Sequence, residues 1–224
     1  MIKLIPRVEN SKAMIVLSPI IALTLTALSA FIIFLFILED IKVSSVFFTL
    51  FVEPLTDSYY FSEILAKAAP LIIIGVGLSI GFRAGIWNIG AEGQYVIGGI
   101  AGSAVGLYFY NVEALWLLPL MAIAGILGGM FYAGIAAFLR IKYQVNEILV
   151  TLMLTYVAVL FLSAMVHGPL RNPSGFNFPE SRIFHDSALL PIIWEGTRLN
   201  ISLIIAFFLA LVAWFGIKKH MFGM

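Results

Sequence analysis

The chain has 224 residues, of which 62% are hydrophobic and only 11% charged, against about 25% charged in a soluble domain, so a surface facing water on all sides is excluded. Its 13 basic and 12 acidic residues nearly cancel, to +1, and no basic run stands out, which argues against nucleic acid as a partner. There is no cysteine, and the three histidines, His167, His185 and His220, lie far apart; no disulfide, no metal site and no cofactor on this chain are expected.

The apolar residues come in runs of about 20, the length that crosses ~30 Å of hydrocarbon as a helix. The runs are continuous rather than alternating, which argues against barrel strands. The predicted fold is therefore all-α, a polytopic transmembrane helix bundle with about six spans and membrane lipid around it. The first, Ala13–Leu38, follows Lys3, Arg7 and Lys12. A cleavage-like stretch, Ala27-Leu28-Ser29-Ala30, lies inside it, but eight apolar residues follow, so the run reads as a retained helix rather than a signal peptide. Val43–Val52 is too short to span and is bounded by charge and Pro54, which predicts an interfacial helix.

The remaining predicted spans are Ser62–Phe82, Ala91–Phe109, Ala114–Leu139, Val145–Val166 and Leu199–Ile217. Between the last two, Pro169, Pro173, Pro179 and Pro191 exclude a helix, so residues 167–191 read as an extended extracytoplasmic cover. A cytoplasmic N-terminus places Lys3, Arg7, Lys12, Arg83, Arg140, Lys142, Lys218 and Lys219 inside, as the excess of basic residues in cytoplasmic loops requires. Gly98, Gly102 and Gly106 repeat every fourth residue on the third span, and Gly125 and Gly129 on the fourth. Such spacing predicts close helix packing, because glycine lets backbones approach where lipid supplies no hydrophobic drive.

The segment Gly81-Phe82-Arg83-Ala84-Gly85-Ile86-Trp87-Asn88-Ile89-Gly90-Ala91-Glu92-Gly93-Gln94 leaves almost no room for a polar loop between two apolar runs. Its four glycines argue against an unbroken helix, and Arg83, Asn88, Glu92 and Gln94 are costly beside lipid. Irregular backbone and polar groups persist at membrane depth only against protein or a wet cavity. The segment predicts a broken helix lining a substrate pathway, with those four residues as candidates. A tight cytoplasmic turn, or a simple Arg83–Glu92 ion pair, is the plainer alternative. Glu147 with Asn146 opens a helix after Arg140 and Lys142; the helix dipole accounts for an acid there, and contact with an ATPase is the sharper reading of Arg140, Lys142 and Glu147. No Ser/His/Asp set or carboxylate pair falls at a shared depth, so no catalytic residue is assigned.

The run Asn88-Ile89-Gly90-Ala91-Glu92-Gly93-Gln94 after Gly81-Phe82-Arg83-Ala84-Gly85 resembles the permeases of bacterial nucleoside importers, which are related to simple-sugar and branched-chain amino acid permeases. Asn146-Glu147-Ile148-Leu149-Val150-Thr151-Leu152-Met153-Leu154 is similar to the opening of a later span in that family. Gly168-Pro169-Leu170-Arg171, Pro179-Glu180-Ser181 and Leu190-Pro191 look like its extracytoplasmic loop. Thr155 before Tyr156 and Glu180 depart from the asparagine and glutamine that are usual there.

The resemblance implies a plasma-membrane permease subunit of an ATP-driven importer, for nucleosides or alternatively simple sugars. It also implies a second permease subunit, cytoplasmic ATP-binding subunits and an extracytoplasmic substrate-binding lipoprotein as partners. The chain has no G-x-x-x-x-G-K-[ST] loop, so ATP hydrolysis is expected on another subunit. Family members continue through a cytoplasmic coupling segment and further spans, which makes residues 1–224 read as one incomplete permease domain. A channel or ion-driven transporter is the alternative from outside the class.

Overall fold

A computed structural model describes residues 12–37, 42–176 and 178–218. The chain divides into two compact units, residues 1–61 and 62–224. In the first, α1 (Lys12–Ile37) runs unbroken through the Ala27–Ala30 stretch and carries Pro19 internally. Short helical pieces follow: α2 (Val43–Phe47), a π-helical turn (Phe48–Val52) and α3 (Glu53–Thr56). Phe47 stacks on Phe51 and meets Phe31 and Phe34 edge-on. Leu38, the end of the first predicted span, lies outside the described residues, as do Lys3, Arg7 and Lys219.

The longer helices are α4 (Ser58–Arg83), α5 (Ala91–Tyr108), α6 (Leu117–Tyr143), α7 (Glu147–His167) and α8 (Ser202–Lys218). With α1 they occupy the six predicted positions, their ends displaced by a few residues; α4 starts four residues early, at Ser58, and α6 runs on to Tyr143. α1, α4, α6 and α7 are long and apolar enough to cross a membrane. α8 has 17 residues, and α5 has the length but carries Glu92, Gln94 and a glycine series. Among the described residues no named strand occurs, only an isolated bridge between Ile192 and Asn200.

The centre of the second unit is α5, which packs most closely on α6 and then on α7. Glycine makes both crossings. A Cβ on Gly98 would sit 2.8 Å from the Gly125 carbonyl oxygen, one on Gly102 3.1 Å from the Met121 oxygen, and one on Gly129 3.2 Å from the Gln94 oxygen. On the other side of α5, a Cβ on Gly93 would lie 2.9 Å from Thr155 Cα. Gly106 faces the Met121 side chain and the Phe184 ring. Backbones this near can be reached only without side chains.

The described residues between 168 and 201 form an irregular connection with one 3₁₀ turn, Asp186–Ala188. It is fastened to the α5–α6 link: Ser187 Oγ donates to the Val112 carbonyl at 3.2 Å, His185 Nε2 lies 3.3 Å from Glu113 Oε1, and the Arg182 guanidinium stands over the Tyr110 ring.

Candidate functional site

The site begins where α4 stops. Gly85 adopts φ +72°, Gly85 N–H donates to the Phe82 carbonyl, and Ile86 N–H donates to the Gly81 carbonyl at 3.0 Å. This pair of bonds with a left-handed glycine is the Schellman stop, which satisfies the last carbonyls of a helix. Residues 86–90 are then irregular, and α5 resumes at Ala91. The predicted break is therefore a capped end, a five-residue link and a new helix start, with the Trp87 ring lying back over Phe82 at 5.2 Å.

What holds the link is mostly one threonine. Ile89 N–H donates to Thr151 Oγ1 at 3.2 Å, while that hydroxyl donates to the Glu147 carbonyl at 2.8 Å. Gly90 is pressed onto the same residue: a Cβ there would be 2.5 Å from the Thr151 carbonyl oxygen. Thr151 and Thr155 are both buried. Asn88 closes a local turn, its Oδ1 accepting from Gly90 N–H at 2.8 Å, and its Nδ2 donates to Gln94 Oε1 at 3.2 Å. With its oxygen so engaged, the Gln94 amide has its NH₂ group left to donate outward.

Asn88 and Gln94 line two adjoining cavities. One, of about 460 Å³, is walled also by Trp87, Ala133, Ala136, Arg140, Glu147 and Thr151. The other, about 400 Å³, lies between α4 and α5 and is bordered by Ile74, Gly77, Leu78, Gly81 and Tyr95. At the rim of the first, Arg140 Nη1 meets Glu147 Oε1 at 2.7 Å, spanning the short link from α6 to α7. That link turns through Gln144 at φ 54°. Asn146 caps α7 by accepting from the N–H groups of Ile148 and Leu149. Such caps contribute about 1 kcal/mol.

The structure thus brings two of the four candidate pathway residues together and leaves two outside. Arg83, the last residue of α4, and Glu92, in the first turn of α5, are exposed and line neither cavity. Glu92 is two residues from Gln94, about 200° around the helix, so when Gln94 faces the cavity Glu92 faces away from it. No ion pair joins Arg83 to Glu92 among the described residues. Arg140 and Glu147 belong to the cavity rim and engage each other, whereas Lys142 is exposed above the rings of Phe138 and Tyr143.

Thr151 escaped the reading from sequence, yet it had a signal there. Glu147, Thr151 and Thr155 follow at every fourth position and form one polar stripe on an otherwise apolar helix. Tyr132 was also passed over. It is 8% exposed, and its hydroxyl donates to the Leu154 carbonyl at 2.7 Å, tying α6 to α7 behind the site.

Residues 60–224 match the family described as the branched-chain amino acid transport system / permease component. The chain belongs to that family. With four membrane-length apolar helices among the described residues, this member of the permease family is embedded in the membrane. Curated relatives include a glucose ABC transporter permease of Haloferax volcanii, 44% identical over 63% of this chain and 37% of its own length. A guanosine ABC transporter permease of Bacillus subtilis is 30% identical over 74% of this chain and 47% of its own. A nucleoside ABC transporter permease of Lactococcus lactis is 28% identical over 70% and 45%. The chain spans less than half the length of each of these relatives. No solved structure matches it.

Proposed function

We propose that this chain is a permease subunit of an ATP-driven nucleoside importer, and that the Asn88–Gln94 pair contacts the solute inside the translocation path. The observation that carries the reading is a hydrogen-bonded amide pair set in a break between apolar helices and open to cavities of about 400 and 460 Å³. That volume lies in the range of small-molecule sites, ~300–1,000 Å³. Polar side chains at such a break require protein or a wet cavity around them rather than lipid. Neutral amides suit an uncharged solute with ring nitrogens, carbonyl oxygens and hydroxyls, as a nucleoside has. In this reading Arg83 and Glu92 take no part in holding the solute.

The excess of basic residues supports a cytoplasmic N-terminus, and in that orientation the ends of α4 and α6 and the starts of α5 and α7 form the inward end. A second permease subunit, cytoplasmic ATP-binding subunits and an extracytoplasmic binding lipoprotein complete the machine, with Lys142 on the face offered to the ATPase. Hydrolysis on those subunits drives the bundle between inward- and outward-open states. A simple sugar is the second reading, favoured by the relative at 44% identity whose name specifies glucose.

In the assembled transporter, Asn88→Ala and Gln94→Ala should each lower labelled guanosine uptake by roughly tenfold, the loss of one well-placed hydrogen bond, with unchanged abundance in the membrane. Undiminished uptake in both variants would overturn the reading. Excess unlabelled glucose, rather than excess nucleoside, abolishing uptake would select the sugar.

A further inference from the structure

α4 carries a lysine that the site described so far does not use. Lys67 is nine residues from Ser58 and sixteen from Arg83, about 13 Å and 24 Å along the helix axis. It therefore stands well inside a membrane-length apolar helix. It is exposed on this chain and forms no ion pair with a carboxylate among the described residues. An ammonium at that depth is costly against hydrocarbon, and intramembrane charges face a bundle interior or a wet cavity.

The helix register says which way it faces. Glu63, Lys67, Pro70, Ile74, Gly77, Leu78 and Gly81 recur at three- and four-residue steps and so share one face of α4. The lower members of that series, Ile74, Gly77, Leu78 and Gly81, border the cavity of about 400 Å³ in which Asn88 and Gln94 stand. Gly77 is not there for a close crossing, because a Cβ on it would meet no atom within 4 Å. The buried members of α4, Ser62 and Ala69, lie on a different face. At the far end, the Glu63 carboxylate is mostly covered and lies 3.4 Å from Arg198 Nε.

We infer that this face of α4 is a wall of the solute path, and that Lys67 is a second solute-binding residue, donating from its ammonium to acceptor atoms of a nucleoside or sugar. The face runs from Glu63 and Lys67 down to the Asn88–Gln94 pair, with Gly77 and Gly81 keeping the passage wide between them. The inference rests on the proposed transport function and adds to it a binding residue about two to four helical turns along α4 from the residues that border the amide pair's cavity.

The absence of cysteine makes the test direct. Lys67→Cys, Asn88→Cys and Ile72→Cys, the last on the opposite side of α4, each give the chain a single thiol. In membrane vesicles carrying the assembled transporter, a membrane-impermeant cationic methanethiosulfonate should modify Lys67→Cys but not Ile72→Cys. Saturating guanosine, or glucose if that is the solute, should slow the modification several-fold. Uptake should fall roughly tenfold in Lys67→Met and largely return in Lys67→Arg. A Lys67→Cys thiol that stays unmodified, that is modified without protection by either solute, or that cross-links to a second copy without a solute effect would overturn the inference. If Asn88→Cys is still modified and protected in that case, the transport reading stands and only the assignment of Lys67 falls. If Asn88→Cys is also inert, both fall.

Discussion

Gly98 and Gly99 are neighbours on one helix, and the structure gives them opposite outcomes on substitution by alanine. A Cβ on Gly98 would stand 2.8 Å from the Gly125 carbonyl oxygen, whereas one on Gly99 would meet nothing within 4 Å. The first contact is about 0.6 Å or more inside the usual separation for such atoms, and a backbone oxygen in a helix cannot turn aside as a flexible side chain can. α5 and α6 must slide or separate along the whole crossing, including the Gly102–Met121 and Gly129–Gln94 contacts. Overpacking of this kind costs about 1–3 kcal/mol. Gly99→Ala introduces no clash and removes backbone freedom from the unfolded chain, so it should stabilise by roughly 0.5–1 kcal/mol. Unfolding of the purified chain in mixed micelles, titrated with sodium dodecyl sulfate and followed by tryptophan emission, measures both. Equal effects at the two positions, or a neutral Gly98→Ala, would refute the crossing as described.

Two further outcomes follow from the polar ties of α7. Tyr132→Phe removes the hydroxyl bonded to the Leu154 carbonyl and should cost about 1 kcal/mol in the same titration; a change below ~0.3 kcal/mol, within the scatter of a surface substitution, would mean the bond is not formed. Thr151→Val deprives Ile89 N–H of its acceptor, whereas Thr151→Ser keeps it. Hydrogen exchange at the Ile89 amide should rise about tenfold or more in the valine variant and stay near its original rate in the serine variant, and equal rates in both would place the link's anchor elsewhere.

The helices were legible because a span is written over about twenty residues, and single errors average out. The break at residues 84–90 was legible for the same kind of reason: glycines crowd together with polar side chains that a lipid-facing helix does not tolerate. Which polar residues face the cavity was not. Glu92 and Gln94 look alike in the sequence, and only the rotation of α5 against α6 and α7 sends Gln94 inward and Glu92 out. Lys67 went unread for the opposite reason, since one charge scarcely changes the hydropathy of a 26-residue helix. That Arg140 and Glu147 pair across the α6–α7 link was not legible either, because the sequence shows two helix ends and not the 2.7 Å between them.

α5 is the helix whose composition is least suited to lipid and the one most enclosed by its neighbours. It has Gly90 and Gly93 against Thr151 and Thr155 on one side, and Gly98 and Gly102 against Gly125 and Met121 on the other. A helix covered on both sides by protein need not be apolar, so it can carry Gln94 in its first turn. Those contacts also decide where the amide of Gln94 stands, because its own backbone carbonyl lies over Gly129 and its side chain meets Asn88, whose neighbouring Ile89 is held by Thr151. In the proposed function, packing and recognition are therefore one geometry: a methyl group added at the Gly98 crossing should displace the Asn88–Gln94 pair, as a change in the link itself would.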